Sequence, residues 1–250
     1  MTIQITHFMR RPRRNAFSIE RLFEDIRGAM PADCLVRAWT CRHASTGLLP
    51  RLKDMWAARG QQGDVNHVTG DIHFLAIGLD PKRTILTVHD LVLLDRLRGA
   101  KRWILWFVWY WLPLRRSRIV VTISETTRQA LLASVRCDPG KVRVIHNCVS
   151  AEFSPSPKAF DAVRPRLLVI GTKANKNLDR IAEAVAGLDC RLAIVGPLSD
   201  RQRALLADAA IDYENHVGLS REALVEQYRL CDMLLFPSTY EGFGLPIVEA

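Results

Sequence analysis

Two glutamates, Glu241 and Glu249, bracket a glycine-containing loop in the final stretch, FPSTYEGFGLPIVEA. Gly242 and Gly244 let the backbone approach a ligand closely, because glycine has no Cβ atom in the way. Pro246 is typical of the first turn of a helix, whose free N–H groups and partial positive charge suit a diphosphate. Carboxylates accept hydrogen bonds from sugar hydroxyls. A strand, a glycine loop and a helix also occur in any α/β protein, so the spacing alone leaves a structural role open.

A second loop that could hold phosphate, residues 171–177, follows a predicted strand and precedes a predicted helix. Gly171 admits a close approach of ligand to backbone, and the ammonium groups of Lys173 and Lys176 can neutralise phosphate. Lysines in a loop before a helix are usually solvated. This pattern by itself is therefore weak.

Polar residues also follow three predicted strands in the first half of the chain, at residues 10–15, at His89-Asp90 and at Ser124-Glu125. Open parallel sheets bind ligands beyond the carboxyl ends of their strands. A histidine in that position is about as often a satisfied structural residue as a site residue. The basic residues at 10–15 are consistent with a phosphate site, with a surface for an acceptor or membrane, or with a solvated loop.

The elements that would position these residues alternate between strands and helices, which predicts parallel sheets with helices on both faces. Predicted N-caps of helices are Ser18, Ser124, Ser199 and Ser220. Three prolines within residues 153–165 predict a linker. The predicted domains are therefore residues 1–155 and 156–250, each Rossmann-like. Runs typical of strands lie at residues 3–8, 34–40, 64–68, 84–88, 118–123, 142–146, 167–170, 191–195, 215–217 and 233–236.

The pattern Pro-Ser-x-x-Glu-Gly-Phe-Gly-Leu-Pro near the end of the chain, followed by Glu-Ala, closely resembles a known signature. It is that of the family 4 retaining glycosyltransferases of the GT-B fold, the group 1 type. The loop that runs from Gly171-Thr172 to Lys176-Asn177 resembles the family's donor-phosphate loop. Val217-Gly218-Leu219 matches the segment that lies against the nucleotide base.

The first half resembles the acceptor domain of the same family through the order strand, His89-Asp90, strand, Ser124-Glu125, helix. Residues 1–155 would then be the acceptor-side domain and residues 156–250 the donor domain. The resemblance covers the chain from about residue 3 to residue 250. Two departures stand out: residues 10–15 replace a Gly-Gly loop, and Asn175 stands where the family often has an arginine.

The resemblance implies an α/β protein of the GT-B fold, with two Rossmann-like domains facing across a cleft and the second domain incomplete. The implied function is transfer of a hexose from a UDP- or GDP-linked sugar to a polysaccharide or lipid-linked acceptor, with retention of configuration. Because the signature helix has barely begun at Ala250, the chain resembles a C-terminally truncated member. The alternative is a non-catalytic remnant or scaffold of that fold.

The resemblance also implies roles for single residues. Lys176 is the main phosphate ligand, Glu241 orients the sugar and His89 meets the donor sugar from the other domain. Glu249 holds the ribose, and Lys173 substitutes for the missing arginine. The departing phosphate would deprotonate the acceptor. The remaining predicted donor-binding residues are Gly171, Thr172, Val217, Gly218, Leu219, Gly242, Phe243, Gly244 and Leu245.

No metal ion and no cofactor is expected, since the sequence has neither an Asp-x-Asp motif nor a ligand cluster among its seven histidines. The clamp on the leaving diphosphate would be electrostatic instead. A dinucleotide-dependent oxidoreductase, a competing function, would need a Gly-x-Gly-x-x-Gly turn with an acidic residue about 20 positions on. Neither half contains that pattern.

The net charge of +9 indicates anionic partners, namely a nucleotide diphosphate or a phospholipid face, since the sequence has no nucleic-acid module. Residues 103–114, WILWFVWYWLPL, favour a buried helix, with an interfacial membrane element as the alternative. Six scattered cysteines indicate a reducing compartment. With no signal-like stretch at the start of the sequence, these features predict a cytoplasmic protein with peripheral contact at the inner face of the plasma membrane.

Overall fold

A computed structural model describes residues 2–12 and 18–250 of the chain. The chain divides into two compact units, Met1–Cys148 and Val149–Ala250. The sequence placed the boundary after residue 155, inside the proline-containing stretch with which the second unit begins. Each unit is an α/β structure built on one parallel sheet, as predicted.

The first unit contains a six-stranded parallel sheet with the strand order β2-β1-β3-β4-β5-β6. Its strands are β1 (Ile3–Met9), β2 (Cys34–Thr40), β3 (Val65–Val68), β4 (Thr84–Val88), β5 (Ile119–Thr122) and β6 (Val142–Val144). Its helices are α1 (Ser18–Gly28), α2 (Leu48–Arg59), α3 (Leu75–Gly78), α4 (Val92–Arg96), α5 (Gly99–Leu105), α6 (Leu112–Arg115) and α7 (Glu125–Ser134). The side chain of Ser18, a predicted N-cap, lies outside the described part of the structure, whereas the cap at Ser124 is confirmed by its bond from the Thr127 N–H.

The core of the first unit forms where the central strands are covered on both faces. Phe8, Val68 and Leu86, on three neighbouring strands, are fully buried. They belong to one cluster with Trp109 and Tyr110 of the aromatic segment. Burial on both faces explains why these strands read as near-continuous apolar runs.

The aromatic segment is helical, but one face of it stays exposed. Between α5 and α6 the chain forms a π-helix, Trp106–Trp111. Pro113 has no N–H group to donate to the carbonyl of Trp109, and that carbonyl accepts a hydrogen bond from His73 Nδ1 at 2.9 Å. Trp103 is 68% exposed and Ile104 65% exposed, so the segment is not the wholly buried helix that the sequence favoured.

The second unit contains a four-stranded parallel sheet with the order β10-β7-β8-β9. Its strands are β7 (Arg166–Ile170), β8 (Arg191–Val195), β9 (Tyr213–His216) and β10 (Met233–Leu234). Its helices are α8 (Leu178–Val185), α9 (Asp200–Asp208), α10 (Arg221–Leu230) and α11 (Leu245–Glu249). Two of the predictions run past the observed strand end: Val217 lies beyond the end of β9, and β10 is two residues long instead of four.

Helix α8 shows how the sequence builds the second core. Leu178, Ile181 and Val185 share one face at helical spacing and are buried against Leu192 and Ile194 of β8. The predicted caps at Ser199 and Ser220 are confirmed by bonds from the N–H groups of Gln202 and Ala223. At Ser199 the Gln202 side chain bonds back to complete a capping box.

No helix within residues 2–12 and 18–250 combines the length and the apolarity that crossing a bilayer requires.

Candidate active site

Two loops of the second unit lie side by side because they follow neighbouring strands. β7 and β10 are paired in parallel, so their carboxyl ends meet at the same edge of the sheet. The loop after β7 holds Gly171 and Lys176, and the loop after β10 holds Glu241. The structure therefore brings together residues about 65 positions apart that the sequence predicted to share one site.

The central contact of this site is an ion pair between Lys176 and Glu241. Lys176 Nζ lies 2.6 Å from Glu241 Oε1, and the two side chains are 16% and 25% exposed. The same ammonium lies 5.0 Å from the centre of the Phe236 ring, within the range of a cation–π contact. The ammonium is thus held between the Glu241 carboxylate and the Phe236 ring.

Gly171 lets the Lys176 side chain cross the end of β7. Gly171 has φ = +89°, and a Cβ atom there would lie 3.1 Å from Lys176 Cε. A side chain at this position would therefore be strained and would push the lysine out of place. The absence of a side chain at Gly171 therefore makes room for Lys176, the predicted phosphate ligand.

Two asparagines tie the loops together, a role that the sequence did not reveal. Asn175 Nδ2 donates to the carbonyl of Tyr240 at 3.1 Å, and the Asn175 carbonyl accepts from the Thr239 N–H at 2.9 Å. Asn177 Nδ2 donates to the carbonyl of Pro237 at 3.2 Å. Asn175, which replaces the arginine common in the family, thus holds the glutamate loop against the lysine loop.

The segment from Gly242 to Glu249 turns sharply into α11. Gly244 precedes the helix with φ = +87° and is buried against the Phe236 ring, so this position requires glycine. Gly242, Phe243 and Leu245 are half-buried around it. The loop predicted to approach a ligand is therefore compact and lies beside Glu241.

Glu249 is positioned by Tyr228, a residue that the sequence did not mark as part of the site. The Tyr228 hydroxyl donates to Glu249 Oε2 at 2.6 Å. Burial, and then the nearby carboxylate, raises the pKa of Tyr228 well above its usual value, so the hydroxyl remains a donor. Only the fold reveals this pair, because Tyr228 lies on α10 and Glu249 on α11.

The other predicted donor residues of this unit occupy less central positions. Thr172 Oγ1 donates to the carbonyl of Pro197 at 2.5 Å, so its hydroxyl faces the loop after β8. Lys173 is exposed beside it. Val217, Gly218 and Leu219 follow β9, which β8 and β7 separate from β10 in the sheet. Val217 is 58% exposed.

His89, the predicted site residue of the first unit, lies at the carboxyl end of β4. His89 Nε2 lies 2.7 Å from the carbonyl of Thr69 and must carry the proton that it donates there. Its ring packs on Gly70, where a Cβ atom would lie 2.4 Å from His89 Cδ2. Burial lowers the pKa of His89, so the ring is neutral at pH 7.

Arg10 next to His89 is buried and pairs with two carboxylates. Arg10 Nε bonds to Glu20 Oε1 at 2.8 Å and Arg10 Nη1 to Asp71 Oδ2 at 2.5 Å. Burial raises the pKa of Asp71, but the guanidinium outweighs that effect and holds the pKa below its usual range. With 6% of its surface exposed, Arg10 is neither a solvated residue nor a free phosphate ligand. Arg13, Arg14 and Asn15 of the predicted basic loop lie outside the described residues.

Across the two described ranges, no group of three or more His, Cys, Asp or Glu side chains is arranged to hold a metal ion. The charged groups of the second-unit site are Lys176, Glu241 and Glu249 with the cation Lys173 nearby. Such a set can bind an anion and hydroxyl groups through charge and hydrogen bonds.

Two successive Rossmann-like units, the second with a glycine–glutamate loop at the carboxyl edge of its sheet, define the GT-B class of fold. The comparison with family models agrees with this assignment. Residues 31–153 match the model Glycosyltransferase Family 4, and residues 152–250 match the model Glycosyl transferases group 1. The chain belongs to the group 1 glycosyltransferases, as its motifs predicted.

Two mannosyltransferases that the chain matches are longer than this chain. The chain is 26% identical to the MMP α-(1→4)-mannosyltransferase of Mycolicibacterium hassiacum, over 90% of this chain and 60% of the relative. It is 23% identical to the serotype-specific mannosyltransferase WbdA of Escherichia coli, over 68% of this chain and 24% of WbdA. The chain thus spans less than two thirds of the length of either relative.

Among solved structures, HepE of Anabaena in complex with UDP and glucose resembles this chain with a TM-score of 0.74. The likeness covers 99% of this chain and 78% of HepE at 15% sequence identity. At that identity the comparison establishes the fold, and the chemistry has to be argued from the site.

Proposed function

We propose that the chain is the glycosyl-transferring part of a retaining, metal-independent glycosyltransferase. It takes a hexose from a UDP- or GDP-linked sugar and passes it to a glycan or lipid-linked acceptor. The observation that carries the proposal is the Lys176–Glu241 ion pair beside the Gly242–Gly244 loop. The names of the two mannosyltransferase relatives support a hexose, and the UDP and glucose bound to HepE support a nucleotide-sugar donor.

In this proposal Lys176 stabilises the negative charge that develops on the leaving diphosphate. An ammonium has three N–H donors, so Lys176 can keep its bond to Glu241 while it contacts a phosphate oxygen. The loop amides from Gly242 to Gly244 supply further donors at the same edge. Lys173, exposed on the neighbouring turn, adds a second positive charge.

The two glutamates would recognise hydroxyl groups at different ends of the donor. Glu241, fixed by Lys176 and Asn175, accepts hydrogen bonds from the sugar. Glu249, fixed by Tyr228, accepts from the ribose. Both carboxylates are held before the donor arrives, which lowers the entropy lost on binding. Gly171 and Thr172 line the phosphate side, and Val217, Gly218 and Leu219 the base side.

His89 completes the proposal from the first unit, where its role toward the donor sugar rests on the family resemblance. The structure gives it a suitable state, since it is neutral and oriented by the Thr69 carbonyl. We place the enzyme in the cytoplasm, because its six cysteines are all free thiols, as in a reducing compartment.

Calorimetry with UDP, GDP and ADP in the presence of a metal chelator tests the donor site. We expect one of them to bind, and Lys176→Ala or Glu249→Ala to weaken binding by tenfold or more, because each removes a charge-assisted bond worth about 1.5–3 kcal/mol. Arg203→Ala, which removes an exposed cation from α9, is the matched control. A folded protein that binds none of the three nucleotides would refute the proposed site.

Transfer itself is tested with the nucleotide sugar that matches the nucleotide bound. NMR of the product distinguishes retention from inversion at the anomeric carbon. Activity that disappears with a chelator and returns with a divalent cation would contradict the metal-independent mechanism.

A non-catalytic scaffold is the second candidate, because an apolar groove of about 850 Å³ lies along the outer strand β10. Leu188 and Met233 on its lining are 62% and 49% exposed, as is usual for a surface that binds another polypeptide. Nucleotide binding without turnover, in a protein that resists limited proteolysis, would favour this second function.

A further inference from the structure

The outer face of the aromatic segment carries exposed apolar side chains on a folded helix. Trp103, Ile104 and Phe107 are 68%, 65% and 40% exposed. Their spacing places them on neighbouring positions of one helical face. Exposed tryptophan and isoleucine side by side are unusual on a protein surface that faces only water.

Ring contacts connect this face to the far end of the segment. Trp103 and Trp106 meet edge to face with ring centres 5.2 Å apart, and Trp106 lies 6.3 Å from Trp111. Phe107 stacks on Trp111 at 5.0 Å. The Arg115 guanidinium in turn lies 4.3 Å from the centre of the Trp111 ring. The apolar face and Arg115 are therefore parts of one continuous surface.

Arg115 opens onto a shallow cavity of about 420 Å³ that is lined by cations. Its lining consists of Pro81, Lys82, Arg115, Ser117, Arg118 and Lys141. Within the described part of the chain, none of its four cationic side chains forms an ion pair with a carboxylate. Four like charges around one cavity repel one another, and an anion between them would relieve that repulsion.

Basic residues also flank the apolar end of the surface. Lys101 and Arg102 are exposed immediately before Trp103. The face thus has apolar side chains with cations at both ends, which matches a bilayer surface with its anionic headgroups. Insertion of a few apolar side chains gives marginal binding by itself, and a basic patch supplies the second contribution that stable attachment needs.

We propose that the surface formed by Trp103, Ile104, Phe107 and the Arg115–Arg118 cavity docks on an anionic phospholipid membrane. The apolar side chains enter the interface, and a headgroup phosphate occupies the cavity. Charge complementarity favours this occupant over a second copy of the chain, whose own surface here is equally basic. The inference is independent of the donor site, because vesicle binding is measured without nucleotide.

Co-sedimentation of the whole chain with vesicles tests the proposal. We expect binding to vesicles of phosphatidylcholine and phosphatidylglycerol at 7:3, weak binding to phosphatidylcholine alone, and loss of binding as salt is raised. Trp103→Ser with Ile104→Ser should weaken binding by about tenfold or more. Arg115→Gln with Arg118→Gln should weaken it by about 30-fold and reduce its dependence on salt.

Matched controls come from the same chain. Trp56→Ser removes a tryptophan that is 77% exposed on α2, and Arg136→Gln with Arg203→Gln removes two exposed cations elsewhere. Both controls should bind vesicles like the unchanged protein. Circular dichroism and thermal unfolding confirm that every variant is folded.

Three results would overturn the proposal. One is a folded chain that does not sediment with anionic vesicles, and another is a Trp56 variant that loses as much binding as the Trp103 variant. The third is a chain that self-associates in ultracentrifugation through Trp103, or binds inorganic pyrophosphate through Arg118, without binding vesicles. The face would then serve a second copy or a soluble anion.

Discussion

At the carboxyl edge of the first sheet Arg10 is buried between Glu20 and Asp71, whereas at that of the second sheet Lys176 pairs with Glu241 near the surface. Both edges carry the polar groups that parallel sheets offer to ligands. In the first unit Arg10 and Glu20 are 7% and 16% exposed, and Asp71 at the rim of the group is 40% exposed. In the second unit Lys176 and Glu241 are 16% and 25% exposed. The Arg10–Glu20 pair is thus more deeply buried than the Lys176–Glu241 pair, which predicts a larger contribution to stability.

Replacing Arg10 in the first unit and Lys176 in the second should produce the largest difference in stability between the units. Arg10→Met leaves Glu20 buried without its partner, and we expect the first unit to lose about 3 kcal/mol of stability. Lys176→Met breaks a more exposed pair and should lower the stability of the second unit by about 1 kcal/mol or less. Tryptophan fluorescence during urea unfolding follows the first unit, because all six tryptophans lie between residues 39 and 111.

Hydrogen exchange read by mass spectrometry follows the second unit in the same samples. Lys176→Gln serves as the polar control for Lys176→Met. Equal losses in the two units would show that burial does not distinguish the two ion pairs.

Mild acid should weaken the first unit before the second. Burial lowers the pKa values of His7 and His73 to about 4, so both are neutral in the folded protein, while the unfolded chain takes up protons below about pH 6.5. The stability that these two histidines contribute to the first unit is therefore complete above pH 6.5 and is lost as the pH falls towards 4. The loss is on the order of 2 kcal/mol per histidine at pH 5.

The second unit should keep its stability over the same range. Hydrogen bonds from Lys158 and from the Arg166 N–H lower the pKa of Asp232 to about 2. This carboxylate's contribution is complete above about pH 4 and is lost only as the pH falls towards 2. Fluorescence and hydrogen exchange at pH 7 and pH 5 make the comparison. Parallel destabilisation of the two units at pH 5 would contradict it.

Two glycines with positive φ should respond differently to alanine. Gly70→Ala meets the ring of His89, and we expect the first unit to lose about 2–4 kcal/mol through strain and overpacking. Gly171→Ala meets only the flexible end of Lys176, so the second unit should lose about 1–2 kcal/mol. The larger effect of Gly171→Ala should be on nucleotide affinity, which calorimetry measures. Unchanged binding in a folded Gly171→Ala protein would separate this glycine from the site.

Tyr228→Phe should give the smallest effect and sharpen the assignment of Glu249. The phenylalanine keeps the edge contact with Phe153 and removes only the bond to Glu249 Oε2. We expect stability to fall by about 1 kcal/mol and nucleotide affinity by about three- to tenfold. Calorimetry on Tyr228→Phe, Glu249→Ala and the double variant measures the coupling. If the loss of binding free energy in the double variant equals the sum of the losses in the single variants, Tyr228 does not act through Glu249.

The fold was largely predictable because local patterns agreed with the tertiary structure. The strands Cys34–Thr40, Thr84–Val88 and Arg191–Val195 have the predicted bounds, and the caps at Ser124, Ser199 and Ser220 form as predicted. Such features depend on neighbours within a few residues. Strand ends were less predictable, because β9 and β10 stop where pairing in the sheet stops.

The contacts around the candidate site were predictable only where a motif marked both partners. Lys176 and Glu241 each belong to a recognisable loop, and their roles as ligands remain predictions. The partners Asn175–Tyr240, Tyr228–Glu249 and Arg10–Asp71 join positions 21 to 65 residues apart with no local signal. Composition likewise could not tell which face of residues 103–114 is buried.

The hydrogen bond from His73 to the carbonyl of Trp109 has an evolutionary consequence. Proline at position 113 removes the N–H group that an α-helix would direct at that carbonyl, and the imidazole donates to it instead. In homologous sequences, a residue with an N–H group at position 113 removes the need for histidine at position 73. Positions 73 and 113 are therefore expected to covary, although 40 residues of chain separate them.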